Sequence, residues 1–108
     1  MYYLLLEIGS YRQLTRLERE LISDLVARIA DQAYRHGAVA ASEEGGLFLF
    51  RFPVLEDDRH GPVLDAAFDT RAILADRADA LAGYSVVIDL AAGERDTEVV
   101  ERLREFVL

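Results

Sequence analysis

The carboxylates are the side chains in this sequence with most to offer a reaction. Glu7 stands near the end of an apolar run, Tyr2 to Ile8, and Glu43 and Glu44 open the segment Glu43-Glu44-Gly45-Gly46. If that run lies antiparallel to Leu47 to Phe52, Glu7 approaches the turn. Acids from two strands could then form a cluster able to hold a divalent ion. The plainer reading is that Glu-Glu-Gly-Gly is ordinary turn composition and that a Glu beside it is a solvated sheet end. Asp57, Asp58 and His60 could also be drawn as metal ligands, but consecutive loop acids near one His are the usual make-up of a solvated loop. His36 has no Ser, Asp or second His at a recognisable spacing and reads as a helix-end residue. Gly9-Ser10 could present backbone donors to a phosphate, yet no Lys follows as a phosphate loop requires. Cysteine is absent, which excludes a thiol nucleophile, a thiolate zinc site and a disulfide framework.

A chain of 108 residues, 52% apolar and 30% charged, has the make-up of one soluble globular domain, so residues 1–108 are read as a single unit. Ending on Phe106-Val107-Leu108 leaves open that this unit is the N-terminal part of a longer protein. Twenty acidic residues against twelve basic ones, all arginine and none clustered, give a net charge of −8. Such a surface repels phosphate backbones and anionic lipid, so neither nucleic acid nor membrane is expected as a partner. The longest apolar run falls well short of the ~20 residues of a membrane span, and no export leader is visible. A cytoplasmic location is the default expectation.

The elements that would position these residues follow from periodicity. YYLLLEI, Tyr2 to Ile8, is apolar on both sides and reads as a central strand. Thr15 with Glu18 has the form of a capping box. Leu17, Leu21, Leu25 and Ile29, with Ile22, Val26, Ala30 and Ala33 beside them, make a helical stripe that ends at Arg35, His36 and Gly37. A weak strand, Ala38 to Ser42, forms a hairpin with Leu47 to Phe52. Pro53 closes that strand, and Val54 to Pro62 is a polar loop. A second helix is predicted over Val63 to Ala82, with Leu64, Ala67, Phe68, Leu74, Ala78 and Leu81 inward and Asp65, Asp69, Asp76 and Asp79 outward. Tyr84 to Leu90 is the last strand, Gly93 a turn, and Asp96 or Thr97 caps a final helix bearing Val99, Val100, Leu103, Phe106 and Val107.

This order predicts an α+β fold, a ferredoxin-like βαββαβ(α) sandwich with a four-stranded antiparallel sheet and two long helices on one face. Right-handed crossovers place the first and third strands centrally. Alternation puts Leu4, Leu6, Ile8, Phe48, Phe50, Phe52, Val86, Ile88 and Leu90 under the helices. The other face carries Tyr3, Leu5, Glu7, Leu47, Leu49, Arg51, Ser85, Val87 and Asp89. In a lone domain that face is expected to meet water. Tyr3, Leu5, Leu47, Leu49, Arg51 and Val87 are therefore the candidate interface, with cover by the chain itself as the alternative.

Three stretches resemble the class III nucleotide cyclase homology domain. LLLEIGSYRQLT is similar to its first strand and loop, and HGAVAASEEGGLFLFRFP to its hairpin. VLDAAFDTRAIL with YSVVIDLAAGE is similar to the following helix and strand. The resemblance implies two acidic metal ligands, one ending the first strand and one in the hairpin turn. Here Glu7 stands at the first, Gly46 falls at the second, and the Gly93-Glu94 pair is kept without the usual polar approach. The leading expectation is a catalytically inactive cyclase-like regulatory or dimerisation module of a signalling protein, with no cofactor. Its partner would be a second copy or another domain of the same protein. The alternatives are an active metal-dependent nucleotide enzyme using Glu7 with Glu43 or Glu44, and a small-ligand sensor.

Overall fold

In the computed structural model, residues 1–53 and 61–92 are described. The expected final helix from Asp96, its residues Val99 to Val107, and Gly93-Glu94 lie outside the described residues, as does most of the Val54 to Pro62 loop. Strands β1 (Tyr2–Ile8), β2 (Ala40–Glu44), β3 (Leu47–Phe52) and β4 (Val86–Ala92) form one antiparallel sheet in the order β2-β3-β1-β4. Helices α1 (Arg16–Arg35) and α2 (Gly61–Asp76) pack on one of its faces. This is the ferredoxin-like α+β sandwich, with the two most apolar strands in the centre as the crossovers require.

Local chemistry sets the ends of α1. The Thr15 hydroxyl oxygen accepts the Glu18 N–H at 3.2 Å and the hydroxyl donates back to the Glu18 carboxylate at 3.0 Å. At the other end Gly37 takes a positive φ of 107°, Ala38 N–H donates to Ala33 O and Gly37 N–H donates to Tyr34 O, a Schellman closure. That closure ties up Ala38, so β2 starts at Ala40, two residues later than expected. β2 also runs on through Glu43 and Glu44. The turn consists only of Gly45 and Gly46, whose φ values of 59° and 92° make the mirror-image type I turn that suits a tight hairpin.

The main core joins Leu4, Leu6, Ile8, Phe48, Phe50 and Phe52 to the inner faces of both helices. From α1 it takes Ile22, Leu25, Ile29 and Ala33, while Leu17 is 77% exposed, against expectation. Four residues rotate the helix by about 400°, so the row Leu17-Leu21-Leu25-Ile29 drifts about 40° per step and Leu17 leaves the buried face. From α2 the buried residues are Val63, Ala66 and Thr70 rather than Leu64 and Phe68. Phe68 lies two residues from both Ala66 and Thr70, a rotation of about 200° from each, and faces away. Pro62 sits inside the first turn of α2, where its missing N–H costs nothing.

α2 also ends at Asp76, short of the expected Ala82. Asp76 and Asp79 bring negative charge to the negative pole of the helix, and the last turn holds no basic residue to offset it. The chain continues in turns instead, with Ala78 N–H donating to Ala75 O, Leu81 N–H to Arg77 O and Tyr84 N–H to Leu81 O. Tyr84 is consumed in that closure, so β4 begins at Val86.

The other sheet face is not the open surface expected of a lone domain. Tyr3, Leu5 and Leu49 are 1%, 2% and 2% exposed in the single chain and form a second core cluster, with Leu47 and Ala91 packed against it. Arg51 is partly buried, and of the six candidate interface residues only Val87, half exposed, stands open to solvent.

Polar links fasten the helices. The Thr70 hydroxyl donates to Ala66 O at 2.8 Å and accepts Gln32 Nε2 at 2.7 Å, an α1–α2 bridge within the packed layer. About one helical turn further along α1, His36 Nε2 lies 2.5 Å from Asp69 Oδ2, next to Thr70 on α2. Tyr84 donates to Glu18 Oε2 at 2.9 Å, tying the entry to β4 to the first turn of α1.

Two outcomes follow from this packing. Ile29→Ala, at a fully buried site, is expected to lower the unfolding free energy measured in urea by about 2–5 kcal/mol, whereas Leu17→Ala should change it by no more than ~0.5 kcal/mol. The Tyr84 and Thr15 hydroxyls hold the Glu18 carboxyl below its ordinary value of 4.5. Its contribution is thus present above the ordinary Glu range and lost as pH falls through the lowered folded value. Tyr84→Phe should therefore shrink the fall in thermal midpoint between about pH 7 and about pH 3; an unchanged profile would contradict the linkage.

Candidate functional site

The end of β1, the β2–β3 turn and the short 3₁₀ turn Tyr11–Gln13 meet at one corner of the sheet. Ser10 takes a left-handed φ of 56° and starts the 3₁₀ turn, closed by Gln13 N–H on Ser10 O and Leu14 N–H on Tyr11 O. This sends Tyr11 back over the hairpin. Its ring meets Phe48 edge-on, with centroids 5.9 Å apart, and the Arg19 guanidinium lies 5.7 Å from the ring centroid. Arg19 also donates to Arg12 O at 2.9 Å, so α1 holds the turn in place from above.

Gly46 is buried beneath this lid. Its carbonyl accepts the Ile8 N–H at 2.9 Å, which extends the β1–β3 ladder into the turn. A Cβ added at Gly46 would stand 2.4 Å from Tyr11 Cβ and 2.8 Å from Ile8 O. Neither atom is the yielding end of a flexible side chain, and the backbone already lies at a φ of 92°. The position at which the cyclase resemblance implies a second acidic ligand therefore has no room for any side chain.

The three candidate carboxylates do not converge there. Leu47 pairs with Glu7 on one side and Glu44 on the other, so these two acids share a sheet face but stand two strand spacings apart, ~9–10 Å between backbones. Glu43 pairs with Phe48 and belongs to the opposite face. Its Oε1 accepts the Gly46 N–H at 3.2 Å, a bond that braces the turn. Among the described residues, no three His, Asp or Glu side chains come together as a set that could hold a metal ion. Asp57, Asp58 and His60 lie outside the described residues. His36, the C-cap of α1, faces Asp69, a partner on another helix that spacing along the chain could not reveal.

The residue that sequence reasoning missed is Tyr11. Its only signal was an aromatic in the loop after an apolar strand. Phe68 and Leu64 were read as inward and instead stand on the solvent side of α2. With Ile88 and Leu90 of β4 they line a shallow groove of about 320 Å³.

Gly46→Asp, the change that would supply the implied ligand, is expected to cost more than about 2 kcal/mol of stability in urea unfolding. Pairing it with Tyr11→Ala should recover only part of the loss, because the Ile8 carbonyl remains in the way. Full stability in the single variant would show that the corner can open.

Comparison with protein-family models, with curated proteins and with solved structures found no match.

Proposed function

We infer that this chain is a catalytically silent, nucleotide cyclase-like domain that serves as a regulatory or dimerisation module in a signalling protein. The frame by itself names no reaction, since ferredoxin-like sandwiches carry many unrelated functions. The observation that carries the reading is the filled hairpin corner. Two-metal phosphoryl transfer needs carboxylates on both sides of the ions to neutralise charge at the attacking and leaving oxygens. Glu7 has no counterpart at Gly46, and the nearest acid, Glu43, is bonded to the turn it would have to leave.

Association is supported by the large apolar side chains that remain exposed after folding on one side of the molecule, Phe68 and Leu64 on α2 and Leu90 on β4. Among the described residues no helix is long and apolar enough to cross a membrane, so these side chains do not belong to a spanning helix. Contact with another protein is a common use of such a patch.

Calorimetric titration of the chain with ATP or GTP in the presence of Mn²⁺, at about 1 mM nucleotide, should give a flat trace beyond heats of dilution. Saturable binding that disappears in Glu7→Gln would overturn catalytic silence.

A further inference from the structure

We propose that residues 93–108 of this chain dock on the sheet face opposite the helices and cover Tyr3, Leu5 and Leu49. This face lies apart from the α2 groove, so the two stand or fall separately. The three side chains are 1%, 2% and 2% exposed in the single chain, and with Leu47 and Ala91 they form a cluster that contains no helix residue. α1 and α2 lie on the other face. Side chains of one sheet screen one another from the side but not from above, so exposures this low require a further layer. That layer comes from the chain outside the described residues, either 54–60 or 93–108.

Composition and attachment separate the two. Residues 54–60 read Val-Leu-Glu-Asp-Asp-Arg-His, with Val54 and Leu55 as their apolar positions. They join the end of β3 to the start of α2, which packs on the opposite face, so both ends of this link are committed. Residues 93–108 carry Val99, Val100, Leu103, Phe106 and Val107, which recur at the spacing of one helical face. Their apolar content matches the five sheet residues to be dried.

The point of departure also fits. β4 ends at Ala92, opposite Tyr2, and Ala91, opposite Tyr3, already belongs to the cluster. On the same side of β4, Val87 at the far end stays half exposed. The cover is thus heaviest at the end of the sheet from which residue 93 leaves. From β4 across β1 to β3 is two strand spacings, about 10 Å, which residues 93–108 span even at the ~1.5 Å per residue of a helix. The face whose apolar character marks an interface is then filled by the chain itself. Another protein reaches Tyr3, Leu5 and Leu49 only by displacing residues 93–108, which makes that segment a competitor for any partner of the face.

Thiol chemistry tests this, because the chain has no cysteine of its own. In the whole chain Leu49→Cys should react with a water-soluble thiol reagent about tenfold or more slowly than Val87→Cys, at every protein concentration. Adding Leu103→Glu and Phe106→Glu should raise the Leu49→Cys rate about tenfold or more, while Ile29→Cys in the main core stays protected. A Leu49→Cys rate equal to that of Val87→Cys, or one that the added charges leave unchanged, would overturn the proposal. Protection lost on dilution would overturn it in favour of a second copy. Cross-linking gives an answer even where the charged variant unfolds. In the otherwise unaltered chain a short bifunctional thiol reagent should join Leu49→Cys to at least one of Val99→Cys, Leu103→Cys and Phe106→Cys within a single molecule. Linkage to Leu55→Cys alone, or to none of these positions, would contradict docking of residues 93–108.

Discussion

The contact on which the corner depends is that of Gly46 with Tyr11 and the Ile8 carbonyl. It requires a residue without a side chain at the second position of the hairpin turn, because Tyr11 Cβ already occupies the space a Cβ would take. It requires the chain to leave β1 through a left-handed Ser10, which turns Tyr11 back over the sheet. It also requires the guanidinium of Arg19 and the edge of Phe48 to grip the ring. A loop, a hairpin and a helix thus share one joint, and that joint sits where metal-dependent chemistry would need open space.

The rest of the molecule separates into two apolar regions divided by the sheet. Above it, both helices close over Leu4, Leu6, Phe50 and Phe52; on the other side Tyr3, Leu5 and Leu49 form a smaller cluster. Three polar links, Gln32–Thr70, His36–Asp69 and Glu18–Tyr84, set the position of the helices relative to each other and to β4. With both faces of the central strands out of water, the large apolar side chains left exposed on this side of the molecule are Leu64 and Phe68 on α2 and Leu90 on β4.

Much of the frame was legible from residue patterns because strong local signals agreed with the tertiary demands on them. Thr15 with Glu18 marked the start of α1, Gly37 marked its end, and the extents of β1 and β3 matched their apolar runs. The errors have physical causes. α2 was read too long because its alanines suit a helix while the aspartates at its end oppose one. Phe68 was placed inside because hydrophobicity alone does not fix the phase of a helix whose apolar residues surround it; the smaller Ala66 and Thr70 took the buried side and let α2 approach α1 closely. The candidate site was legible as residues but not as geometry. Glu7, Glu43 and Glu44 were identified, yet their separation onto different strands and faces, and the Tyr11 lid, arise from backbone directions that no spacing encodes.

The central claim is that the hairpin corner is too full to bind a nucleotide-bearing metal ion. Paramagnetic line broadening addresses it atom by atom. Backbone amide spectra of the ¹⁵N-labelled chain would be recorded with a non-hydrolysable nucleotide and substoichiometric Mn²⁺. The account expects the amides of Glu7, Ile8, Gly45 and Gly46 to broaden no more than those of other surface acids. Selective loss of those four signals, reversed by chelation, would place an ion in the corner and contradict it.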